Sequence, residues 1–360
     1  MKFIDEFRDG ELAKRLVKRI GTYSCEPINI MEVCGTHTMA IFKYGIRDIL
    51  PDNVKLISGP GCPVCVTPQS YIDIAIELAS MDNVIITTFG DMIRVPGKRG
   101  SLLSKKAEGA DIRVVYSPMD AIKVAQNNTD KKVVFLSVGF ETTTPMTVIT
   151  AIEAKKNKVN NLFFLTAHKI VPPIMEALVK DKELNIHGFL LPGHVSAIIG
   201  SKPYEFLSER YHIPGVITGF EPIDLLHGID TLLGLIDKKE CKVINKYTRI
   251  VRTEGNERAK EQLNQVFDIV DTCWRGIGNV PNSGYVFKKE FEDYDALKHF
   301  GIKYKDYDGS SGCRCGEILK GKITPLECPL FKKRCTPENP VGSCMVSSEG
   351  TCSAYYKYHS

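Results

Sequence analysis

Residues 132–139 read KVVFLSVG and residues 161–168 read NLFFLTAH, and these two apolar runs decide the predicted fold. Neither run alternates between apolar and polar side chains, which predicts strands buried on both faces. A segment with helical periodicity separates them. Strands that alternate with helices are typical of parallel sheets, so the pair predicts one step of a doubly wound α/β fold.

The same pattern recurs from residue 28 to about residue 220. Six further runs bring the predicted strands to eight, at residues 28–34, 54–59, 84–90, 112–117, 187–193 and 214–220. The polar connection DAIKVAQNNTDKK (120–132) divides the eight about equally. Two doubly wound parallel-sheet domains of similar topology are therefore favoured over one barrel, which is the alternative. We expect domain I over residues 20–125 and domain II over residues 126–235.

The pattern changes after residue 235. The segment NERAKEQLNQVFDIVDTCW (256–274) is predicted to be a charged helix, and six of the twelve cysteines follow between Cys313 and Cys352. The cysteine-rich segment has too few large apolar side chains to fold by burial alone, so a covalent or metallic link must stabilise it. We expect a smaller iron-sulfur domain III over residues 236–360, with residues 1–19 as a candidate extension.

Composition excludes several classes of protein. The net charge of +4 comes from 47 basic and 43 acidic residues without a long basic run, which argues against nucleic acid as a partner. The charged start, MKFIDEFRDGELAKRLVKRI, lacks the apolar region of a signal peptide, and no window approaches the roughly 18 apolar residues of a membrane span. We therefore expect a cytoplasmic protein whose cysteines serve metal or redox chemistry.

Reactive side chains follow the predicted strands, where parallel sheets form their ligand crevice. In CGTHT (34–38), Cys34 and His37 could face one crevice as a metal-binding or nucleophilic pair, or they could be a buried thiol and a turn-bonding imidazole. Cys62 and Cys65 in GPGCPVC (59–65) suit a redox dithiol, half a metal site or plain packing. Functional and turn roles are equally balanced for four further residues: Asp91, Glu141, His168 and His194.

The six cysteines of the tail favour an iron-sulfur cluster over zinc. Zinc ribbons use two C-x2-C knuckles, which this segment lacks, whereas a four-thiolate cluster tolerates irregular spacing and leaves two cysteines for another task. Glu349 lies between two of these cysteines and either positions a proton or a loop or is simply solvated. Cys25, Cys241 and Cys273 stand alone and are predicted to be small buried hydrophobes.

Taken together, CGTHT, GPGCPVCVTP, FGDMIRVPG, GFETTTP, PGHVSAIIG, TGFEPIDLL and the cysteine-rich tail closely resemble the HypD family of NiFe-hydrogenase maturation factors. The family often has Glu where this chain has Thr38. The resemblance implies a metallocentre-assembly scaffold for the Fe(CN)2CO group of the hydrogenase, with no classical turnover deduced. It also implies two partners, the small chaperone HypC and the cyanide donor HypE. We expect the isolated chain to be a monomer that docks these partners.

The resemblance also assigns residues. Cys34 is implied to bind the iron of the Fe(CN)2CO group, and Cys62 and Cys65 to form a redox-active pair beside it. By similarity to ferredoxin:thioredoxin reductase, Cys315 is implied to pair with Cys344 in a disulfide beside a 4Fe-4S cluster with four ligands: Cys313, Cys328, Cys335 and Cys352. Four further residues are implied to line the cleft: His37, Asp91, His194 and Glu349.

Two other interpretations share these residues. A stand-alone disulfide reductase of the ferredoxin:thioredoxin-reductase type would use the tail cluster to reduce Cys62 and Cys65, but it leaves Cys34 and the polar loops unexplained. A small-molecule binding protein of two α/β lobes with a structural zinc tail is the third. Metal and sulfide analysis of anaerobically purified protein separates this last interpretation from the others.

Overall fold

The computed structural model describes residues 5–23, 26–307 and 312–359. Two parallel sheets form its centre, and all eight predicted strands are present. The strands are β1 (Ile28–Glu32), β2 (Val54–Ser58), β3 (Val84–Thr88), β4 (Ile112–Val114), β5 (Lys132–Ser137), β6 (Leu162–Thr166), β7 (Gly188–Pro192), β8 (Gly215–Thr218), β9 (Val243–Asn245), β10 (Phe267–Trp274) and β11 (Gly278–Phe287).

Helices connect the strands. They are α1 (Gly10–Ile20), α2 (Gly35–Lys43), α3 (Pro63–Val66), α4 (Gln69–Ala79), α5 (Leu102–Ala107), α6 (Pro118–Gln126), α7 (Thr144–Lys156), α8 (Val171–Lys180), α9 (Gly193–Ile199), α10 (Phe206–Glu209), α11 (Pro222–Asp237), α12 (Glu257–Val266), α13 (Ala296–His299), α14 (Cys315–Leu319), α15 (Ser343–Val346) and α16 (Thr351–Tyr358). Short 3-10 helices occupy Asp5–Phe7, Ile46–Ile49, Gly90–Arg94, Lys202–Tyr204, Lys289–Tyr294 and Pro325–Glu327.

Each parallel sheet reverses its strand order once. Sheet A has the order β2-β1-β7-β8-β9 and sheet B the order β4-β3-β5-β6, and all neighbours are parallel. The reversals fall between β1 and β7 in sheet A and between β3 and β5 in sheet B. Doubly wound sheets open their ligand crevice at such points, outside the carboxyl ends of the strands. The predicted α/β fold with two parallel sheets is confirmed.

The division of the chain between the sheets differs from the predicted domain boundaries. Sheet A combines strands from residues 28–58 with strands from residues 188–245, whereas sheet B takes residues 84–166. The chain therefore begins sheet A, builds sheet B and returns to complete sheet A. Periodicity predicts where strands lie along a chain, but it carries no information on which distant strands pair.

Alternate residues of the strands point into different apolar cores. In β1, Ile28 and Ile30 join the core formed with α1 and α11, whereas Met31 joins a central core. In β6, Phe164 packs toward α12 and the β10–β11 hairpin, whereas Phe163 joins the same central core as Met31. The central core therefore includes one face of each sheet, and it also contains cysteines of the C-terminal segment.

The segment from residue 236 to residue 307 belongs with the sheets and not with the cysteines. β9 extends sheet A, and Leu263 and Phe287 pack in the core of sheet B. The predicted helix over residues 256–274 ends at Val266, and residues 267–274 form strand β10 of an antiparallel hairpin. Aromatic and β-branched side chains at these positions favour a strand. Since α1 packs with sheet A, the cysteine unit consists of residues 312–359 alone.

Candidate functional site

Cys34 lies at the strand reversal of sheet A. It follows β1 and forms the N-cap of α2, with φ −148° and ψ 124°. The backbone N–H of Gly35 donates to the carbonyl of Gly61 at 2.9 Å, which joins this loop to the loop after β2. A Cβ atom on Gly61 would lie 2.4 Å from the Cα of Cys34. Only glycine permits this approach, so the two loops meet backbone to backbone.

Cys62 and Cys65 form a disulfide in the loop that touches Cys34. Their Cα atoms lie 5.3 Å apart, and both side chains are buried. Cys62 is the N-cap of α3, and its sulfur accepts a hydrogen bond from the Cys65 N–H at 3.2 Å. Pro63 occupies the first helical position, where its missing N–H costs nothing. The C-x2-C pair therefore has a defined helical geometry next to Cys34.

The Cys34 thiol is protonated at neutral pH. Burial raises its pKa to about 11, the Glu349 carboxylate adds to the rise, and the N–H groups of His37 and Thr36 oppose it. Glu349 is held there because its Oε1 accepts a hydrogen bond from Thr36 Oγ1 at 2.8 Å. A bound cation would replace this proton, since thiolate is the form that binds metal.

His37 and His194 both pack against the Phe220 ring. The ring centroids are 4.7 Å from Phe220 for His37 and 3.8 Å for His194. His37 is buried, and its Nε2 donates toward the carbonyls of Thr218 at 3.3 Å and Gly219 at 3.1 Å. Burial lowers the pKa of His37 to about 4, so its imidazole is neutral. His194 is exposed, and burial of part of its ring lowers its pKa as well.

One segment of the cysteine unit joins three of the motif loops. Ser343 Oγ donates to the Cys65 carbonyl at 3.1 Å, and Ser347 Oγ donates to Asp91 Oδ2 at 2.9 Å. Glu349 completes the set through Thr36. The structure therefore brings Asp91 and Glu349 together with Cys34 and the C-x2-C pair.

Five cysteines of the cysteine unit line one small cavity, with Leu330, Phe331 and Met345 among its other lining residues. The five are Cys313, Cys328, Cys335, Cys344 and Cys352. Cys315 is buried nearby in α14, and its thiol raises the pKa of Cys313. The donor set fits an iron-sulfur cluster, which requires four thiolates converging on one space. Over residues 5–23, 26–307 and 312–359, no three Cys, His, Asp or Glu side chains lie close enough together to hold a metal ion in the conformation described.

The disulfide between Cys62 and Cys65 is the only one in the part of the chain that the structure describes, so the predicted bond between Cys315 and Cys344 stays a prediction. Cys344 lies against Cys352, whose thiol raises its pKa. The two isolated cysteines, Cys241 and Cys273, are half-exposed, contrary to the prediction of burial. Cys25 lies outside the described residues.

Two polar side chains at the end of sheet B form bonds within that sheet and its helices. His168 Nε2 contacts Ser137 Oγ at 3.0 Å and Thr147 Oγ1 at 3.1 Å, and burial lowers its pKa to about 4. Glu141 accepts the Val171 N–H at 2.8 Å, and burial raises its pKa to about 7. Neither residue contacts the Cys34 loop through a hydrogen bond.

Sequence reasoning missed a buried ion pair beneath Cys34. Glu32 Oε1 accepts from Arg47 Nη2 at 3.0 Å and from Ser58 Oγ at 2.6 Å, and Glu32 is fully buried. The Arg47 guanidinium lies 5.7 Å from the ring centroid of Tyr355, which lies on the helix that carries Cys352. A carboxylate inside the apolar run INIMEVC (28–34) was the signal, because a buried charge needs a partner.

The described residues contain no helix with the length and apolar character that crossing a membrane demands. The fold and the site define a two-sheet α/β protein with a thiol at the crevice of one sheet, a C-x2-C disulfide beside it and a cysteine unit docked on both. Comparison with known sequences assigns the family. The family described as "HypD: Hydrogenase formation hypA family" matches residues 11–359.

The chain belongs to the HypD family of hydrogenase maturation factors. It is 45% identical over 366 residues to the hydrogenase maturation factor HypD of Escherichia coli, covering 99% of this chain and 98% of the relative. It is 45% identical over 368 residues to HypD2 of Bradyrhizobium diazoefficiens, covering 99% and 97%. A putative hydrogenase expression/formation protein of Methanocaldococcus jannaschii is 46% identical over 352 residues, covering 97% and 98%. The resemblance seen in the motifs is confirmed.

Proposed function

We propose that the chain is the scaffold on which the Fe(CN)2CO group of NiFe-hydrogenase is assembled, with iron held by the Cys34 thiolate and by a second thiolate from HypC. The observation that supports it is the contact of three thiol-bearing segments. The Cys34 loop touches the C-x2-C loop through Gly61, and Ser343 of the cysteine unit bonds the Cys65 carbonyl. Soft thiolates suit an iron that must accept strong-field ligands.

The scaffold would also supply redox capacity. Cys313, Cys328, Cys335 and Cys352, which line one cavity, would hold a 4Fe-4S cluster. The cluster supplies single electrons when bound. A reduced Cys315/Cys344 dithiol would then become a disulfide, and its two electrons and two protons would convert the Cys62–Cys65 disulfide to two thiols. Ser343, next to Cys344, is hydrogen-bonded to the Cys65 carbonyl and so holds the two segments together.

The neighbours of Cys34 would control its proton. Iron binding requires the Cys34 proton to leave, and the Glu349 carboxylate near the thiol is the acceptor that the geometry offers. The His37 imidazole would shape the crevice wall, because its protonated nitrogen bonds the β8 loop and is not directed at Cys34. Asp91 would hold Ser347, and with it the segment of the cysteine unit that contacts the motif loops. His194 is exposed and would contact HypC.

The proposal includes two partner proteins and a location in the cell. HypC would dock beside Cys34, HypE would deliver cyanide to the pair, and the chain alone would be monomeric. A cytoplasmic location would keep the cluster thiols reduced.

Infrared spectroscopy of the anaerobic protein co-purified with HypC tests the proposal. Bands of iron-bound cyanide and CO are expected, and Cys34→Ala should abolish them while the absorbance of the cluster remains. Cys241→Ala is the control, since it removes one thiol that bonds the His212 carbonyl outside the Cys34 loop, and it should keep the bands. A cluster without infrared bands in the wild type would favour the disulfide reductase, and zinc without sulfide would contradict both.

A further inference from the structure

A run of three basic side chains lies beside the cysteine cavity. Lys332, Lys333 and Arg334 are consecutive and exposed. In the part of the chain that the structure describes, neither Lys333 nor Arg334 forms an ion pair, and Lys332 bonds only the carbonyl of His359 at 3.0 Å. Three consecutive positive charges create a positive field that extends about one Debye length, roughly 8 Å at physiological salt.

This run is joined directly to the cavity that the cysteines line. Leu330 and Phe331, which precede the run, and Cys335, which follows it, all line that cavity. The backbone N–H of Cys335 donates to the Leu330 carbonyl at 2.9 Å, so the basic residues form a closed loop over the cavity wall. The positive charges of this loop therefore lie close to the cysteines that line the cavity.

Two further features extend the surface. Leu326, two residues before the cavity-lining Cys328, is 52% exposed, although it is a large apolar side chain. Arg94 is exposed and its guanidinium bonds the Pro337 carbonyl, which adds a fourth positive charge beside the loop. The exposed acidic residues nearest in sequence are Glu327, which follows Leu326, and Glu338, three residues after Cys335. We call Lys332, Lys333, Arg334 and Arg94 the basic face.

We propose that the basic face docks an acidic protein that carries single electrons, and that this carrier reduces the cluster. The step balances, since the carrier loses one electron and the cluster gains it, with no bond made or broken. The inference rests on the proposed cluster. Redox partners meet through small interfaces, in which complementary charge sets the encounter rate and an apolar centre holds the complex. Nucleic acid fits the basic face less well, because so few charges cannot follow a phosphate backbone.

The test uses an acidic plant-type ferredoxin, reduced beforehand, and the full chain purified anaerobically with its cluster. Stopped-flow absorbance gives the rate constant of cluster reduction. We expect Lys333→Glu/Arg334→Glu to lower this constant about tenfold at low salt, and high salt to lower the wild-type constant by a similar factor. Reduction by photoreduced deazariboflavin, which is small and uncharged, should not change.

The control variant is Lys106→Glu/Lys238→Glu. It changes the net charge equally at two exposed lysines away from the cysteine unit and should stay within twofold of the wild type. Equal effects of both variants, or a wild-type rate insensitive to salt, would overturn the inference. So would a DNA oligonucleotide that binds more tightly than ferredoxin and loses binding in the Lys333/Arg334 variant.

Titration calorimetry with oxidised ferredoxin separates this inference from the proposed function. A dissociation constant that rises about tenfold in the Lys333/Arg334 variant, and not in the control, supports docking whether or not the cluster is present. A purified chain without cluster absorbance that still shows this difference would contradict the proposed function alone. A chain that has its cluster and shows no difference would overturn docking alone.

Discussion

The carboxyl ends of the two sheets have the same topology but use their polar side chains differently. At the reversal of sheet A, Cys34 and Glu32 are in contact with loops from other parts of the chain, including the loop of Gly61. At the reversal of sheet B, Glu141 bonds the backbone of α8 and His168 bonds two hydroxyls of its own unit. Asp91 is the exception, since it reaches the cysteine unit.

The difference shows what makes one crevice a reactive site. A polar residue that follows a parallel strand is placed at the crevice by topology alone. Whether that residue can act on a ligand depends on whether neighbouring groups of its own sheet already form its hydrogen bonds. In sheet A the loops around Cys34 are joined to other segments by Gly61, Ser343 and Glu349, whereas Glu141 and His168 of sheet B bond only groups near their own sheet. The following substitutions test this contrast at matched positions.

The largest effect is expected at Gly61. A Cβ there would lie 2.3 Å from the backbone N of Cys34, and backbone cannot move aside as a side-chain end can. We expect Gly61→Ala to lower the free energy of unfolding by about 4 kcal/mol and to abolish the infrared bands, because both loops must shift. Urea unfolding and infrared spectra measure the two effects.

Gly90 after β3 is the matched position in sheet B. A Cβ there would meet only Val114 Cγ1, at 4.0 Å. Gly90→Ala should therefore change the free energy of unfolding by less than about 0.5 kcal/mol and keep the infrared bands. Equal losses in the two variants would show that backbone contact is not what distinguishes the crevices.

Arg47 tests the buried charge beneath Cys34. Arg47→Met would leave the fully buried Glu32 without its cation, and we expect a loss of about 3–4 kcal/mol in the free energy of unfolding. The double variant Glu32→Met/Arg47→Met removes both charges and should recover more than half of this loss. With the single variant Glu32→Met and the wild type, denaturant unfolding of the four proteins forms a double-mutant cycle, and additive losses would contradict the pairing.

Glu141 is the buried carboxylate of sheet B, and unlike Glu32 it has no cation partner among the described residues. Its substitution tests how an unpaired carboxylate affects stability. Burial raises its pKa from 4.5 to about 7, so the folded chain binds a proton that the unfolded chain has lost between these values. Stability must therefore fall as pH rises from about 4.5 to 7, by a total of about 3 kcal/mol. Glu141→Gln removes this fall. The difference in unfolding free energy between variant and wild type, measured from pH 5 to pH 8, should grow with pH.

The same measurement separates the carboxylate from the buried histidines. Burial lowers the pKa values of His37 and His168 to about 4, so both stabilise the fold less as pH falls from 6.5 toward 4. Both contributions cancel when Glu141→Gln is compared with the wild type. A flat difference curve would mean that Glu141 is not buried as the structure places it.

The strands and the site loops could be predicted from sequence because local signals determine them. Apolar runs without alternation located all eight strands, and the strand-end rule located Cys34, Cys62 and Cys65 at one crevice. The interleaving of the sheets could not be predicted, because pairing between residues 28–58 and 188–245 depends on contacts far apart in the chain. The hairpin at residues 267–287 was hidden by the charged helix that precedes it.

The hydrogen bonds that assemble the site could not be predicted either, because they also join residues far apart in the chain. Ser343 and Ser347 are ordinary serines in a cysteine-rich tail, and only the fold shows that they bond Cys65 and Asp91. Glu32 gave a signal as a charge in an apolar run, but its partner Arg47 could not be chosen from the other arginines. Side chains whose role depends on one long-range contact remain invisible to local patterns.

The smallest effect concerns two serines that end matched strands. Ser58 ends β2 and donates to the buried Glu32 carboxylate at 2.6 Å, whereas Ser137 ends β5 and shares a neutral contact with His168 at 3.0 Å. Hydrogen bonds to a charged group are the stronger kind, so Ser58→Ala should cost about 2 kcal/mol and Ser137→Ala about 1 kcal/mol. Thr147 still bonds His168 in the second variant, which limits that loss. Urea unfolding at pH 7 measures both, and a larger loss at Ser137 would mean that the polar contacts of sheet B support the fold more than those beneath Cys34.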